Sequence, residues 1–181
     1  MDIKALLKRI EGGDRSAFTS VVEHFHRPLF GYLGRMGPHQ GPVEEIAQET
    51  FLRAWSRFGD YDPTRAEFST WLFTIARNLA LHELARASGK HEVATAEALP
   101  DIAGDGIQPP DALSQAQRRR RVQIALRGLP VADRSALALV YFRELDLASI
   151  ARIEGCSIGA IKVRLHRAKQ RLRQLLEEHD E

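Results

Sequence analysis

Hydrophobic residues recur every three or four positions along most of the chain, which is the spacing of one face of an α-helix. Asp2–Glu11 is the first such stretch, and a second one follows Asp14. Pro28 lies inside the second stretch and predicts a kink or a break there. Two longer stretches begin at Pro42 and at Glu67, so the pattern indicates helices throughout this half of the chain.

The segment from Asp146 to Arg173 predicts two helices joined by a tight turn. Asp146 can cap the first helix by accepting unpaired N–H groups of its first turn, and Ser157 can cap the second in the same way. Gly155, between them, suits the left-handed backbone that ends many helices. Such a helix-turn-helix is a common DNA-binding unit, whose second helix enters the major groove.

The second helix of this segment separates apolar residues from cationic ones. Its apolar residues fall within an arc of roughly 100°, and Arg164, Arg167 and Arg171 fall on the opposite side. Six Lys or Arg residues and no acidic residue lie between Lys162 and Arg173. A basic helix by itself is usually a solvated face, but its coincidence with the caps and the turn favours DNA binding.

Charge and turn-forming residues divide the 181-residue chain into three parts. Residues 1–87 hold 11 basic and 11 acidic groups, whereas residues 116–181 hold 14 basic and 8 acidic groups. Residues 88–115 hold one basic and five acidic groups, three prolines and no sustained periodicity. We therefore expect an all-α protein in which two small helical domains, 1–87 and 116–181, are joined by a flexible linker.

The composition favours a cytoplasmic protein that is not an enzyme. The chain has one cysteine, which excludes an intramolecular disulfide, and it has no run typical of a membrane helix or a secretory signal. Cys156 is expected to fill the turn of the helix-turn-helix rather than bind zinc, because no second cysteine exists to complete a typical site. No phosphate-binding loop or catalytic triad pattern occurs, so we expect no cofactor and no metal.

The stretch after Pro42 carries one apolar residue on its polar side, Leu52, which lies there with Glu45, Gln48 and Glu49. Leu52 could be an isolated surface leucine, which is common in soluble proteins. It could equally be the centre of a protein-docking patch, with the surrounding polar residues fixing the register. The pattern of residues does not decide between these two interpretations.

The stretch Glu67–Ala87 combines polar residues that can contact DNA with three aromatic residues. Arg77, Asn78 and Arg86 are among its polar positions. Arginine and asparagine can read base edges, and arginine beside aromatic rings can hold a single strand. The aromatic residues have helical spacing, however, so we expect them in the core rather than on the DNA-binding face.

Two parts of the chain resemble the extracytoplasmic-function (ECF) sigma factors of bacterial RNA polymerase, a group within the sigma-70 family. VEEIAQETFLRAW (Val43–Trp55) and FSTWLFTIARNLALHELAR (Phe68–Arg86) together are similar to the second conserved region of that family. LPVADRSALALVYFRELDLASIARIEGCSIGAIKVRLHRAKQRLR (Leu129–Arg173) is similar to the fourth region. The resemblance implies a protein that binds core RNA polymerase and directs it to promoters through their −35 and −10 elements.

The resemblance also implies partners. The surface that would bind the clamp helices of the polymerase β′ subunit consists of Glu45, Gln48, Glu49 and Leu52, so the resemblance favours the docking interpretation of Leu52. The polymerase β subunit would be a further contact, and an anti-sigma factor would control the chain. No membrane insertion is implied.

Two further surfaces would bind promoter DNA. The −10 element, partly as a single strand, would be bound by Arg77, Asn78 and Arg86. The −35 duplex would be bound by Ser157, Gly159, Ala160, Lys162, Val163, Arg164, Arg167 and Arg171. Among these, the arginines would contact phosphates, and the first turns of the helix would discriminate bases. Val163 departs from the family, which often has serine there, so a polar base contact is missing.

A different class of protein also fits part of the pattern, namely a helix-turn-helix regulator that dimerises on palindromic operators. The docking patch around Leu52 and the lack of a separate sensor domain argue against that alternative. A pure protein-interaction module is disfavoured by the row of cations on the second helix of the helix-turn-helix.

Overall fold

The computed structural model describes residues 2–37, 40–89, 112–141 and 143–178. These residues form helices and connections without a β-strand, and none of their helices is long and apolar enough to cross a membrane. A short 3-10 turn, Phe58–Asp60, lies between the third and fourth helices. The helices are α1 (Ile3–Glu11), α2 (Ser16–Met36), α3 (Gln40–Ser56), α4 (Phe68–Gly89), α5 (Ala112–Arg127), α6 (Val131–Tyr141), α7 (Leu147–Glu154) and α8 (Ile158–Glu178). The expectation of an all-α fold is confirmed.

Helix α2 is the centre of the first helix group, α1–α4, because α1, α3 and α4 all pack against it. Its buried stripe includes Val21, Phe25 and Leu29 and continues to the end of the helix. Pro28 lies within this helix, which runs without interruption from Ser16 to Met36, so the alternative of a break at the proline is wrong. A proline removes one backbone hydrogen bond, and burial of the stripe on both sides of it offsets that loss.

The helix-turn-helix forms as its caps predict. Oδ1 of Asp146 accepts the backbone N–H of Ser149 at 2.8 Å, at the start of α7. The hydroxyl of Ser157 accepts the N–H of Ala160 at 3.1 Å, at the start of α8. Gly155 has a φ of 65° and ends α7 in the left-handed conformation. Local hydrogen bonding therefore fixes both ends of the turn.

The second helix group, α5–α8, is assembled on the apolar side of α8. Helices α5, α6 and α7 each contact α8, and Ile161, Leu165 and Ala168 are buried against them. The expected apolar stripe of this helix is confirmed at these three positions. Packing along one side of α8 leaves much of its opposite side facing solvent.

The two helix groups pack against each other. Helix α2 lies against α6 and α4 lies against α7, and buried residues of both groups form one continuous hydrophobic cluster. Tyr32 of α2 and Ser135 of α6 are buried at this interface, with their hydroxyl oxygens 2.7 Å apart. Most of the expected linker, residues 90–111, lies outside the described residues.

Removing the cap of α7 should weaken the helix-turn-helix. We expect Asp146→Ala to lower the free energy of unfolding by about 1 kcal/mol, because the N–H group of Ser149 loses its acceptor. Asp146→Asn keeps an acceptor at the same place and should cost much less. Urea denaturation followed by circular dichroism measures both variants, and equal losses would contradict a capping role.

The contribution of this cap should also depend on pH. The hydrogen bond from the backbone of Ser149 lowers the pKa of Asp146. A lowered pKa means that the stabilisation is present above the pKa of the unfolded chain and is lost as the pH falls through the folded-state pKa. The stability difference between the wild type and Asp146→Ala should therefore narrow as the pH falls below about 4.

Candidate functional site

The first two turns of α8 present few hydrogen-bonding side chains to solvent. Gly159, Ala160 and Val163 are exposed, and Val163 is 50% exposed. Ser157 is exposed as well, but its hydroxyl is used in capping the helix. Lys162 is the one long cationic side chain in these turns before Arg164. Main-chain approach and apolar contact are therefore the main interactions available to this end of α8.

The three arginines of α8 occupy different surroundings. Arg167 is exposed. Arg171 donates a hydrogen bond to Oδ2 of Asp133 at 3.0 Å, and its side chain remains 54% exposed. Arg164 donates to Oε2 of Glu154 at 2.8 Å, and its side chain is 27% exposed. Arg167 can therefore reach a phosphate directly, whereas Arg164 and Arg171 each have a carboxylate partner, and Arg171 is the more exposed of these two.

The polar residues of α4 face different directions. Arg77 points toward the second helix group and is bound to Glu154 there. Asn78, one residue further on, is exposed, as neighbouring residues of a helix must diverge by about 100°. Arg86 is exposed near the end of α4 and pairs with Glu83 at 2.6 Å. Arg77 and Arg164 therefore meet at the same carboxylate, that of Glu154, whereas Asn78 lies on another side of α4.

Glu154, the last residue of α7, is at the centre of the interface between the two helix groups. Its side chain is fully buried. Arg77 donates to both carboxylate oxygens at 3.0 Å each, Arg164 donates to Oε2, and the hydroxyl of Ser135 donates to Oε1. Because a carboxylate offers about four acceptor sites, these four bonds use its full capacity.

The direction of the neighbouring hydrogen bond follows from the number of available protons. The hydroxyl of Ser135 has one hydrogen, which it gives to Glu154. Tyr32 must therefore donate to the oxygen of Ser135 at 2.7 Å. Burial raises the pKa of Tyr32, which keeps this phenol protonated and able to donate. We call these five side chains the Glu154 cluster: Tyr32, Arg77, Ser135, Glu154 and Arg164.

Two further arginines of the second helix group lie at the same interface. The guanidinium of Arg143 lies 5.0 Å from the centre of the Phe73 ring. That of Arg134 packs so closely on Gly37 that a Cβ there would lie 3.0 Å from it. Burial lowers the pKa of both arginines, and the Nε atom of each is buried without a hydrogen bond. These contacts are less completely satisfied than the Glu154 cluster.

The residues expected to dock on RNA polymerase lie on the polar side of α3, in the first helix group. Glu45 and Gln48 are exposed, and Glu49 pairs with Arg53 at 2.6 Å. Leu52 is 56% exposed, which makes it a prominent apolar residue on a side that is otherwise polar. The four residues expected to form a docking patch therefore lie along one accessible helix.

An apolar groove of about 700 Å³ borders this patch, between α2 and α3. Its walls include Phe18 and Val22 of α2 together with Phe51 and Trp55 of α3. The rings of Phe18 and Trp55 lie 4.9 Å apart. Leu52 and Gln48 also line this groove, so the patch and the groove form one continuous surface.

Neither the groove nor the buried position of Glu154 was predicted from the sequence. Phe18 and Val22 have the helical spacing typical of core residues, yet they are only partly buried. Glu154 lies four residues after Ile150 and therefore falls on the buried stripe of α7. An acidic residue on an apolar helix face was the available sign of a buried carboxylate.

No group of three or more His, Cys, Asp or Glu residues suited to a metal ion occurs in the parts of the chain that the structure covers. Cys156 lies half-buried in the turn between α7 and α8, as expected for a residue that fills the turn.

Solved structures share this arrangement of helices. A chain in the structure of CnrH with the cytosolic domain of CnrY matches with a TM-score of 0.71, at 24% identity, over 96% of each chain. The sigma factor RpoE of Bartonella quintana, in complex with the anti-sigma factor NepR, matches with a TM-score of 0.72. That match has 23% identity and covers 88% of this chain and 96% of the other. At these identities the matches establish the fold.

Two family models match the sequence in chain order. Residues 21–89 match sigma-70 region 2, and residues 119–172 match sigma-70 region 4. The ECF RNA polymerase sigma factor SigW of Bacillus subtilis is 33% identical over 97% of both chains. RpoE of Cereibacter sphaeroides, also an ECF sigma factor, is 32% identical over 96% of this chain and 94% of its own. With both regions present in order and similarity along nearly the whole length, this chain belongs to the ECF RNA polymerase sigma factors.

Proposed function

We propose that three surfaces of this sigma factor bind different partners: α3 binds core RNA polymerase, α4 binds the −10 element, and α8 binds the −35 element. Sigma factors of this family direct core polymerase to specific promoters. The observation that carries the proposal is the exposed cationic side of α8, in a helix-turn-helix that follows a separate helical unit with an apolar docking surface.

On α8, phosphate contacts and base contacts come from different residues. Arg167 and Arg171 have exposed side chains, which suits them to phosphates of the −35 duplex, and Arg171 would exchange its bond to Asp133 for one to a phosphate. Base discrimination comes from the first two turns, the part of a recognition helix that reaches base edges. Ser157, Gly159, Ala160, Lys162, Val163 and Arg164 are the residues assigned there. The exposed Val163 can contact a thymine methyl group, which is an apolar mark in the major groove.

On α4, the exposed Asn78 and Arg86 are available to the −10 element. Asparagine can pair with base edges, and arginine can hold a strand by its phosphates or by stacking. Arg77 is assigned to the same element, and it requires release from Glu154 to reach DNA.

On α3, Leu52 supplies an apolar contact and the neighbouring Glu45, Gln48 and Glu49 supply the polar surround. Interfaces commonly combine an apolar centre with a polar rim that excludes water and fixes register. The polymerase partner is proposed to be the clamp helices of the β′ subunit, with the β subunit as a further contact.

The proposed division of the chain assigns residues 1–87 to polymerase and −10 binding and residues 116–181 to −35 binding, with 88–115 as the connecting segment. The chain acts by binding and delivery rather than catalysis, in the cytoplasm, where polymerase meets the chromosome.

An inhibitory protein is proposed to control this activity. CnrH and RpoE of Bartonella quintana share the fold of this chain, and each is seen with a bound protein, the cytosolic domain of CnrY and the anti-sigma factor NepR respectively. An anti-sigma factor of this chain would bind it in competition with core polymerase. Undiminished transcription in the presence of every protein encoded beside this chain would contradict that control.

Reconstituted transcription tests the function as a whole. The purified chain and core polymerase, given a library of promoter sequences, should produce run-off transcripts from templates that share a −35 and a −10 motif. Core polymerase alone should leave those templates silent. Tight binding of the chain to a palindromic site without polymerase, together with no run-off product, would instead support a dimeric helix-turn-helix regulator.

We expect Leu52→Ala to weaken binding to core polymerase by about tenfold, which corresponds to about 1.4 kcal/mol. The side chain is more than half exposed, so its loss should change the free energy of unfolding little. Ile124→Ala is a matched control, because Ile124 is an exposed apolar residue of α5 in the second helix group. Fluorescence titration of the labelled chain with core polymerase measures the Kd of both variants. Equal losses of affinity in the two variants would contradict a docking role for Leu52.

We expect Arg167→Ala to weaken binding of the −35 duplex for all sequences and to reduce the slope of log K against log salt by about 0.9. The reason is the loss of one phosphate contact and of the counterion that it releases. Lys8→Ala, which removes an exposed cation of α1, serves as the control. Anisotropy titrations between low and moderate salt give the slopes, and an unchanged slope for Arg167→Ala would exclude the contact.

A further inference from the structure

We infer that Glu154 is a positioning residue that holds the free chain in a closed form, in which α4 and α8 cannot reach their separate promoter elements. This inference rests on the DNA-binding roles proposed above for the two helices. Glu154 itself does not contact DNA, and it affects DNA binding through its hydrogen bonds with Arg77 and Arg164. The closed form must open when the chain takes its place on core polymerase at a promoter.

The first support is the way in which Glu154 joins the two helix groups. Its fully buried carboxylate accepts hydrogen bonds from α4, α6 and α8 while it stands at the end of α7. Arg77 provides two of the four bonds, and it is the partner that comes from the other helix group. A two-pronged arginine–carboxylate contact fixes orientation as well as distance. This one side chain therefore links α4 to α8, in addition to the apolar packing between the two helix groups.

The second support is the distance between promoter elements. Elements named for positions −35 and −10 lie about 25 base pairs apart, which is roughly 85 Å of duplex at 3.4 Å per base pair. In the closed form, one guanidinium from each DNA-binding helix is hydrogen-bonded to the same carboxylate. Two surfaces that meet at one carboxylate cannot occupy both elements, so the helix groups must separate.

The third support is the identity of the residues that are held. Arg77 is assigned to the −10 element and Arg164 to the −35 element, and both bind Glu154 instead of a phosphate or a base. Glu154 thus takes the place of nucleic acid on Arg77 in the closed form, and it orients Arg164 from within the second helix group. Separation frees Arg77 completely, while Arg164 can stay on Glu154, because both belong to the second helix group.

The interface is also suited to separation. The Nε atoms of Arg134 and Arg143 are buried there without hydrogen bonds, and water would satisfy them in the open form. Glu154 would exchange its bonds from Arg77 for water and keep its bond from Arg164. The closed form is therefore stabilised by the contacts of Glu154, while the two unpaired Nε atoms reduce its stability relative to the open form.

Glu154→Gln tests the inference in the full-length chain. Glutamine has the size of glutamate but lacks the charge, and its NH₂ group would face a guanidinium. We expect the radius of gyration from small-angle X-ray scattering to increase. If the open form is about a tenth of the wild-type population, affinity for a single-stranded −10 oligonucleotide should rise about tenfold, since the apparent Kd scales inversely with the competent fraction.

A purely structural role for Glu154 predicts the opposite result. Loss of packing in the helix-turn-helix would weaken binding of the −35 duplex and leave binding of the −10 oligonucleotide unchanged. That outcome would overturn the inference. So would an unchanged radius of gyration in Glu154→Gln.

Asp133→Asn is the control for charge. It also removes one acidic group and frees an arginine of α8, Arg171, but it does so within the second helix group. Its radius of gyration should equal that of the wild type. If Asp133→Asn raised the affinity for the −10 oligonucleotide as much as Glu154→Gln, net charge alone would explain the effect and the inference would fail.

Arg77→Gln is a second test in case Glu154→Gln does not fold. It removes the partner of Glu154 that belongs to α4 and changes no residue of α7 or α8. Its radius of gyration should also increase, and a compact Arg77→Gln chain would contradict the inference. Run-off transcription by the wild type separates the two levels of the argument. If the wild type supports transcription and both variants remain compact, only the role of Glu154 in holding the closed form is wrong. If the wild type cannot bind core polymerase, the proposed function itself is wrong.

Discussion

A buried carboxylate is costly unless its acceptor sites are filled, and the side chain of Glu154 is fully buried. Its four hydrogen bonds come from three helices, so the positions of α4, α6 and α8 relative to α7 are all constrained by the same group. Withdrawal of a single partner by mutation would leave a charge inadequately compensated in the interior. Separation of the helix groups differs from such a mutation, because it admits water at the same moment.

Each helix group retains a core that does not depend on this carboxylate. In the first group, the stripe of α2 packs against α1, α3 and α4. In the second group, Ile161, Leu165 and Ala168 hold α8 against its three neighbours. The polar side of α3 that includes Leu52 and the cationic side of α8 thus belong to helix groups that each have buried apolar residues of their own. With such cores, each helix group would keep its shape if the two separate as proposed.

Local chemistry explains which features could be predicted from the sequence. The caps Asp146 and Ser157 and the turn residue Gly155 act on backbone groups within three residues, so their effects are visible in a short stretch. Arg77 and Glu154 are 77 residues apart, and neither position alters the periodicity that reveals helices. Phe18 and Val22 illustrate a related limit, because the spacing of an apolar residue does not reveal whether a neighbouring helix covers it. Pro28 shows that packing on both sides can carry a helix through a residue that opposes it.

The exposed start of α8 combines a serine occupied by its own backbone with glycine, alanine and valine. Since none of these side chains supports the fold from the solvent side, replacement at Gly159, Ala160 or Val163 leaves the buried stripe of the helix intact. Under the proposed −35 role of α8, related chains would diverge in the DNA sequences that they prefer by exchanging a few small residues at this end. The scaffold that presents them stays the same, which gives duplicated copies of such a protein an accessible route to separate sets of target genes.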